Sequence, residues 1–251
     1  MKQIQYVMLL ILFLSVSLAG CIGDTQNKSK ISLDINLDSN NGTIIESYSD
    51  GDLISTTNVF IQFNFSQTKS SSKITTFGID TMDGKSPITV DASSNSIINV
   101  EFSEHGIYNV SAYAINVDKI KQSIPITIKI DLRIEWIETK TDNPKTLTFD
   151  PNPVNGGPNP LMIEFISVVE NPSLIEDFEG GQSVQITWNI VDEQNDICQK
   201  KTTEIADGES DEWHTIHFNT FMIHDLIINY DDGQDYVNVN QTISILYDEN
   251  D

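Results

Sequence analysis

Apolar residues recur at every second position through most of this chain, and this alternation constrains its fold more than any other feature. A period of two places alternate side chains on opposite faces of a β-strand, so each run is typical of a half-buried strand. The clearest runs lie at 59–65, 108–114, 124–130, 132–136, 184–190, 226–230 and 243–245. The chain shows no convincing amphipathic helical pattern. We therefore expect an all-β protein.

Turn signals separate these runs. Glycine beside acidic or amide residues marks turns at 40–42, 82–84, 179–181 and 231–233. The segment 150–160 (DPNPVNGGPNP) carries too many prolines for a helix or a central strand. Pro125 lies inside one alternating run, which indicates a sheet edge or a bulge there. Short strands with turns at this spacing predict antiparallel β-sandwiches.

The two halves of the chain resemble each other. Phe77 and Trp188 occupy matching aromatic positions about 110 residues apart, a period that corresponds to one sandwich. The segment 106–116 (GIYNVSAYAIN) resembles 222–232 (MIHDLIINYDD), and a further strand follows each of them. The sequence therefore predicts two tandem sandwiches.

One strand motif is similar to that of a known group of domains. Gly106, Tyr108 and Val110 form a G-x-Y-x-V strand that follows an acidic glycine turn. In the second half, His224 and Leu226 stand in the corresponding positions and the preceding glycine is missing. This pattern resembles the PKD-like and wider immunoglobulin-like families. The resemblance implies a surface spacer or binding module, since such domains rarely carry catalysis themselves.

The first twenty residues have the pattern of an export signal. Lys2 precedes an apolar run at 6–17, which is shorter than the roughly 20 residues that span a bilayer. The next four residues match a lipobox at every position: Leu18, Ala19, Gly20 and Cys21. The segment thus resembles a lipoprotein signal peptide. The resemblance implies cleavage before Cys21 and a diacylglyceryl thioether on that cysteine, and two acyl chains suffice for stable anchoring. We expect a protein on the extracytoplasmic face of the cell membrane.

These patterns predict four regions. They are a signal peptide at 1–20, a lipidated cysteine with a polar tether at 21–30, a first sandwich at 31–131 and a second sandwich at 132–251. The last strand of the first sandwich runs almost directly into the next alternating run, without a Gly/Ser linker. We therefore expect little freedom between the two sandwiches.

Negative charge is concentrated in the second half. The chain has a formal net charge of −23; residues 22–132 hold 13 acidic and 8 basic side chains, whereas 133–251 hold 24 and 5. Such a surface repels nucleic acids and anionic lipid headgroups, so a nucleic-acid partner is excluded. Solubility next to an anionic membrane is the favoured explanation, and binding of a cation or a basic partner is the alternative.

The cysteines and histidines do not form a metal-binding motif in the sequence. With Cys21 lipidated, Cys198 has no intrachain partner, and we interpret it as a small buried apolar residue. A copper site would need Cys, His and Met close together on one late loop. Cys198 is distant in sequence from His214, His217 and Met222, so the sequence predicts no transition-metal site.

The acidic turns allow two interpretations. Asp231, Asp232 and Asp235 flank Gly233, and several carboxylates on one short loop suit calcium. Aspartates also stabilise tight turns by accepting bonds from their own backbone, and no complete calcium loop is present. Turn formation is favoured, and structural calcium at these three residues is the alternative; no other cofactor is expected. N-glycosylation sequons occur at five positions, Asn27, Asn41, Asn64, Asn109 and Asn240, and they permit modification, which we consider at the last four.

Catalytic motifs are missing from the sequence. It contains no GxSxG, SxxK or P-loop pattern. We therefore expect a non-catalytic surface protein for adhesion, recognition or spacing, with a protein or glycan partner. The alternative is an accessory lipoprotein subunit of a membrane transport or secretion complex. An exposed apolar sheet face would favour docking onto such a complex, whereas aromatic residues clustered on loops would favour ligand recognition.

Overall fold

The computed structural model describes residues 30–173, 181–233 and 236–248, and in these ranges the chain forms strands and loops without a helix. The strands of the first half are β1 (Ile31–Ser32), β2 (Asn36–Leu37), β3 (Asn41–Ser49), β4 (Asp52–Thr57), β5 (Val59–Asn64), β6 (Lys69–Ser70), β7 (Ile74–Asp80), β8 (Ile88–Asp91), β9 (Ile97–Phe102) and β10 (Gly106–Asn116). Then follow β11 (Lys121–Thr141), β12 (Leu147–Phe149), β13 (Met162–Glu170), β14 (Val184–Asp192), β15 (Ile197–Ile205), β16 (Ser210–His217), β17 (His224–Asp232) and β18 (Val237–Leu246). The all-β prediction is confirmed.

One large sheet runs through both halves of the protein. Its strand order is β16-β13-β18-β11-β10-β7-β8, and β3 and β4 are attached alongside β11. Two smaller sheets complete the layers, β2-β5-β9 in the first half and β12-β17-β14-β15 in the second, and β1 pairs with β6. Among the described strands every pair is antiparallel except β3–β11, which is parallel.

Strand β11 joins the two halves. Its residues 121–130 pair with β10, and its later residues, from Leu132 to Thr141, pair with β18. Strand β3 pairs with residues 129–137 and so lies along both parts. The strand therefore crosses the expected boundary near residue 131 without a break. Hydrogen bonds on both sides of β11 at this point restrict bending between the halves.

The predicted apolar stripes face the interior. Ile61 and Phe63 in β5 and Ile186 and Trp188 in β14 are fully buried. Aromatic contacts cross between the layers: Phe65 stacks on Phe77 with ring centroids 4.8 Å apart in the first half, and Phe149 meets Phe165 at 5.6 Å in the second. These contacts close the two sandwiches around a continuous apolar core.

Pro125 lies where β11 has a single neighbour. Ser111 of β10 is its partner, whereas pairing with β3 begins at Lys129 and pairing with β18 begins at Leu132. No strand lies on the open side to accept a hydrogen bond from this position, so the missing N–H of proline costs no bond there. This agrees with the prediction of a sheet edge at Pro125. The proline-rich segment 150–160 also forms neither strand nor helix.

The two halves differ in topology despite their similar sequences. Strand β7 lies between β10 and β8, and β14 lies between β17 and β15 in the same way. The last strand of each half pairs differently. In the first half β11 pairs with the preceding strand β10, whereas in the second half β18 does not pair with β17 and instead pairs with β11 and β13. The extended β11 offers β18 an open edge, which explains why the second closing strand joins the other sheet.

A buried contact secures the junction of the halves. Nδ1 of His105 lies 3.0 Å from the hydroxyl oxygen of Tyr247, and the backbone N–H of Tyr247 donates to Asp131 Oδ1 at 2.9 Å. Lys129 forms an ion pair with Asp248 beside this contact. Burial lowers the pKa of His105 and, as the largest effect, raises that of Asp131, so desolvation disfavours the charged form of both groups.

Candidate functional site

A cysteine and two histidines converge at one end of the second sandwich. Cys198 near the start of β15, His217 at the end of β16 and His224 at the start of β17 place one ligand atom each within 4.8 Å of one another. Strands β15 and β17 both flank β14 in the smaller sheet, whereas β16 belongs to the large sheet. The cluster therefore spans the gap between the two layers at the end that faces the first sandwich.

The two imidazole rings approach each other edge to face. Their Nε2 atoms are 3.1 Å apart, and the rings meet at 75° with centroids separated by 4.8 Å. Phe149 stacks on His224, which is 1% exposed, while Cys198 and His217 are partly exposed. The second nitrogen of His224, Nδ1, is buried and makes no hydrogen bond of normal geometry. One side of the cluster is thus held by the core and the other is open to solvent.

The surroundings favour neutral imidazoles. Burial and then the neighbouring His224 lower the pKa of His217, while Asp192 acts in the opposite direction. Burial also lowers the pKa of His224, against the backbone of Met222 and the carboxylate of Asp192. Burial, followed by Asp192, raises the pKa of the Cys198 thiol. At neutral pH the cluster therefore offers two unprotonated ring nitrogens and a protonated thiol.

This convergence adds to the sequence-based interpretation of Cys198. The residue packs against the apolar core but is only partly buried, and its Sγ lies beside His217 and His224. The prediction of no transition-metal site rested on the separation of these residues along the chain, and it stays a prediction. The fold brings the three residues together, because Cys198 and His224 lie on strands that flank β14 and His217 lies on the facing sheet. One sequence signal pointed to this cluster: His224 starts a strand, and the turn at 192–196 places Cys198 near the start of another strand. The sequence did not show that both of these strands pair with β14.

Asp231 and Asp232, two of the three aspartates considered for calcium, lie at the other end of strand β17. Asp231 Oδ2 accepts a hydrogen bond from Thr187 Oγ1 at 2.8 Å, and Asp232 is exposed. Asp235 lies outside the described residues. Calcium binding at Asp231, Asp232 and Asp235 stays a prediction.

Another acidic turn uses its carboxylates locally. Asp192 Oδ1 accepts backbone N–H bonds from Gln194 at 2.9 Å and Asp196 at 3.0 Å. Asn195 takes a positive φ of 64°, which asparagine tolerates better than most residues. These contacts agree with turn formation as the role of this segment.

The remaining predicted sites are distributed as follows. Leu18, Ala19, Gly20 and Cys21 lie outside the described residues. Asn41, Asn109 and Asn240 are exposed, whereas Asn64 is half-buried and its Oδ1 accepts the backbone N–H of Ser66. Across the described ranges, no helix is long and apolar enough to cross a membrane.

Exposed aromatic residues lie next to the cluster. The loop 218–223 joins His217 to His224, and within it Phe218 is 70% and Phe221 is 60% exposed. Ile197, which precedes Cys198, is also exposed. This end of the second sandwich thus combines apolar loop side chains with the three ligand-type residues, a combination that sequence inspection did not find.

Comparison with known proteins yields weak structural matches. No family model and no curated protein sequence matches the chain. A carbohydrate-binding module from the β-sandwich superfamily matches 87% of this chain and 97% of its own, at 10% identity and a TM-score of 0.32. A Bacteroides ovatus protein of a mixed-linkage glucan utilisation locus, solved with a heptasaccharide, matches 82% of this chain and 52% of its own, at 11% identity and a TM-score of 0.22. At these values the matches assign neither a family nor a ligand.

Proposed function

We propose that this chain is a lipid-anchored, extracytoplasmic, non-catalytic surface protein that holds a recognition module away from the membrane. The observation that carries this proposal is the unbroken strand β11, which belongs to both sandwiches and pairs on either side of their junction. A shared strand transmits orientation from one sandwich to the next, as a rigid spacer requires.

The position of the first described strand supports the same arrangement. Ile31 pairs with Ser70, and the nearby strand β7 begins where Ile74 meets Asn116. Asn116 ends β10 at the side of the first sandwich remote from Leu132 and the second sandwich. A lipid on Cys21 would therefore attach at this remote end, with the acidic second sandwich farther from the membrane.

The exposed aromatic residues favour recognition as the task of the second sandwich. Phe218 and Phe221 lie on one loop, and aromatic side chains are frequent anchors in binding sites. The alternative, docking onto a membrane complex, has support from strand β4, an edge strand on which Leu53 and Ile54 are 52% and 66% exposed. An exposed apolar edge can accept a strand from a partner.

Replacement of the lipobox cysteine tests the anchor. Cys21→Ser should abolish labelling by a fatty-acid probe and leave an uncleaved precursor or a released protein, because serine cannot form the thioether. Cell fractionation with N-terminal sequencing measures this, and Cys198→Ser is the matched control that should keep both label and location. A Cys21→Ser protein that is still cleaved and retained in the membrane would contradict the proposal.

A pull-down from solubilised membranes tests the recognition surface. A variant with Phe218→Ser and Phe221→Ser should lose the partner that the unmodified chain captures, whereas Leu53→Ser with Ile54→Ser should retain it. The reverse pattern would favour the accessory-subunit alternative.

A further inference from the structure

We propose that Cys198, His217 and His224 form a copper site, with Cu(I) bound by one thiolate and two imidazole nitrogens. The proposal depends on the geometry of the second sandwich and is independent of the lipid anchor. It assigns a metal ion to a cluster in which three donors of two types, a thiol and two imidazoles, converge.

The distances suit a single ion. Bonds of about 2.0–2.1 Å to nitrogen and 2.3 Å to sulfur place donor atoms roughly 3–4 Å apart around one metal. The two Nε2 atoms are already 3.1 Å apart, and all three donor atoms lie within 4.8 Å. A small side-chain rotation of Cys198, which lies at the open side of the cluster, would complete the set.

The alternative is a hydrogen-bonded histidine pair without a ligand. That pair holds a single proton between its Nε2 atoms, so one ring must donate and the other must accept. Nε2 is the nitrogen that His224 directs at His217, while the backbone of Met222 acts on the same ring. A cation bound to both Nε2 atoms would take the place of the shared proton.

Binding of Cu(I) releases a proton from the cysteine. The S–H bond of Cys198 breaks, the sulfur–copper bond forms, and one proton enters solvent. The carboxylates of Asp192 and Asp196 next to the cluster would offset the charge of the cation.

The donor set suits copper. In the described part of the chain the cluster contains no carboxylate, and thiolate and imidazole are donors that Cu(I) accepts. Structural zinc almost always takes four protein ligands, and zinc sites with three keep a water in the fourth position, so the titration below includes zinc as a competitor.

An anaerobic titration tests the site. The full chain with Cys21→Ser, in which Cys198 is the sole thiol, is titrated with Cu(I) in competition with the chromophoric chelator bicinchoninate. We expect one tightly bound ion per chain, release of about one proton per ion at pH 7, and affinity that increases with pH. Added Cu(II) should give a sulfur-to-copper charge-transfer absorption band.

Two variants test Cys198 and His217 as ligands, and a third is the control. Cys198→Ser and His217→Gln should each weaken Cu(I) binding by about 100-fold or more. Loss of a residue that only hydrogen-bonds to a metal ligand already lowers metal affinity by about 10–100-fold, and loss of a ligand should cost at least as much. His214→Gln is the matched control, since His214 lies on the same strand but bonds Glu164 at 2.8 Å outside the cluster. Circular dichroism and melting curves establish that each variant is folded.

Three results would overturn the assignment. They are equal Cu(I) binding by the folded Cys198→Ser and unmodified proteins, the absence of a bound ion in the unmodified protein, and displacement of Cu(I) by equimolar Zn(II).

Discussion

Trp188 illustrates how one residue connects the layers of the second sandwich. Its side chain is fully buried, its Nε1–H donates to Ser167 Oγ of β13 at 2.8 Å, and its ring lies 6.3 Å from that of Trp213 in β16. The indole therefore fills volume between the sheets and also satisfies a buried hydroxyl. Both roles follow from its position at the centre of β14, where the side chain points across the gap.

Substitution of this tryptophan should be costly. Trp188→Ala should lower the free energy of unfolding by about 3–5 kcal/mol, because it opens a cavity and leaves Ser167 without its donor. Chemical denaturation followed by circular dichroism measures the change. Phe218→Ala, at an exposed aromatic position, is the control and should stay within about 0.5 kcal/mol. A loss below about 1 kcal/mol for Trp188→Ala would mean that the stripe of β14 does not form the core.

Strand β11 shows that one element can have two different environments. Near Pro125 it pairs only with β10, so one edge of its backbone is free. From Leu132 onward it has β18 on one side and β3 on the other. A proline is tolerated in the first environment, because an N–H on the open edge has no partner within the sheet. A proline is not tolerated in the second environment, where strands on both sides accept hydrogen bonds.

Two proline substitutions at exposed positions compare these environments. Ser123 is two residues from Pro125, so its N–H also points away from β10, and Ser123→Pro should leave stability nearly unchanged. Arg133 has partners on both sides, Ser244 and Ile45. Arg133→Pro should cost at least about 1–3 kcal/mol from the lost bond alone. Thermal melting of the two variants measures the difference, and similar melting temperatures would contradict the two-environment description of β11.

At the scale of the whole molecule, the uneven charge is the dominant feature. Residues 133–251 carry 24 acidic and 5 basic side chains, whereas residues 22–132 carry 13 and 8. Repulsion within the second sandwich should destabilise it more than the first. Since β11 links the two sandwiches, destabilisation of the acidic one should also weaken the contact between His105 and Tyr247 at the junction.

Salts should therefore stabilise the protein without regard to the cation. At 0.1 M ionic strength the Debye length is about 10 Å, so sodium and calcium at matched ionic strength should raise the melting temperature similarly. Differential scanning calorimetry measures this. A calcium-specific increase of several degrees that Asp232→Asn removes would contradict non-specific screening and establish the calcium alternative at 231–235. Ser93→Asn, at an exposed turn in the less charged half, is a control that should behave like the unmodified chain.

The sequence by itself determined the strands. An alternation of apolar and polar residues specifies which side chains face inward, whichever strand is the partner. The stripes at Ile61, Phe63, Ile186 and Trp188, the irregular segment 150–160 and the edge at Pro125 were all predictable from local pattern. Tertiary structure alone decided which strands pair. It placed β18 beside β11, joined both halves through one sheet and brought Cys198, His217 and His224 together. These arrangements depend on contacts between residues distant along the chain, and no local periodicity encodes them.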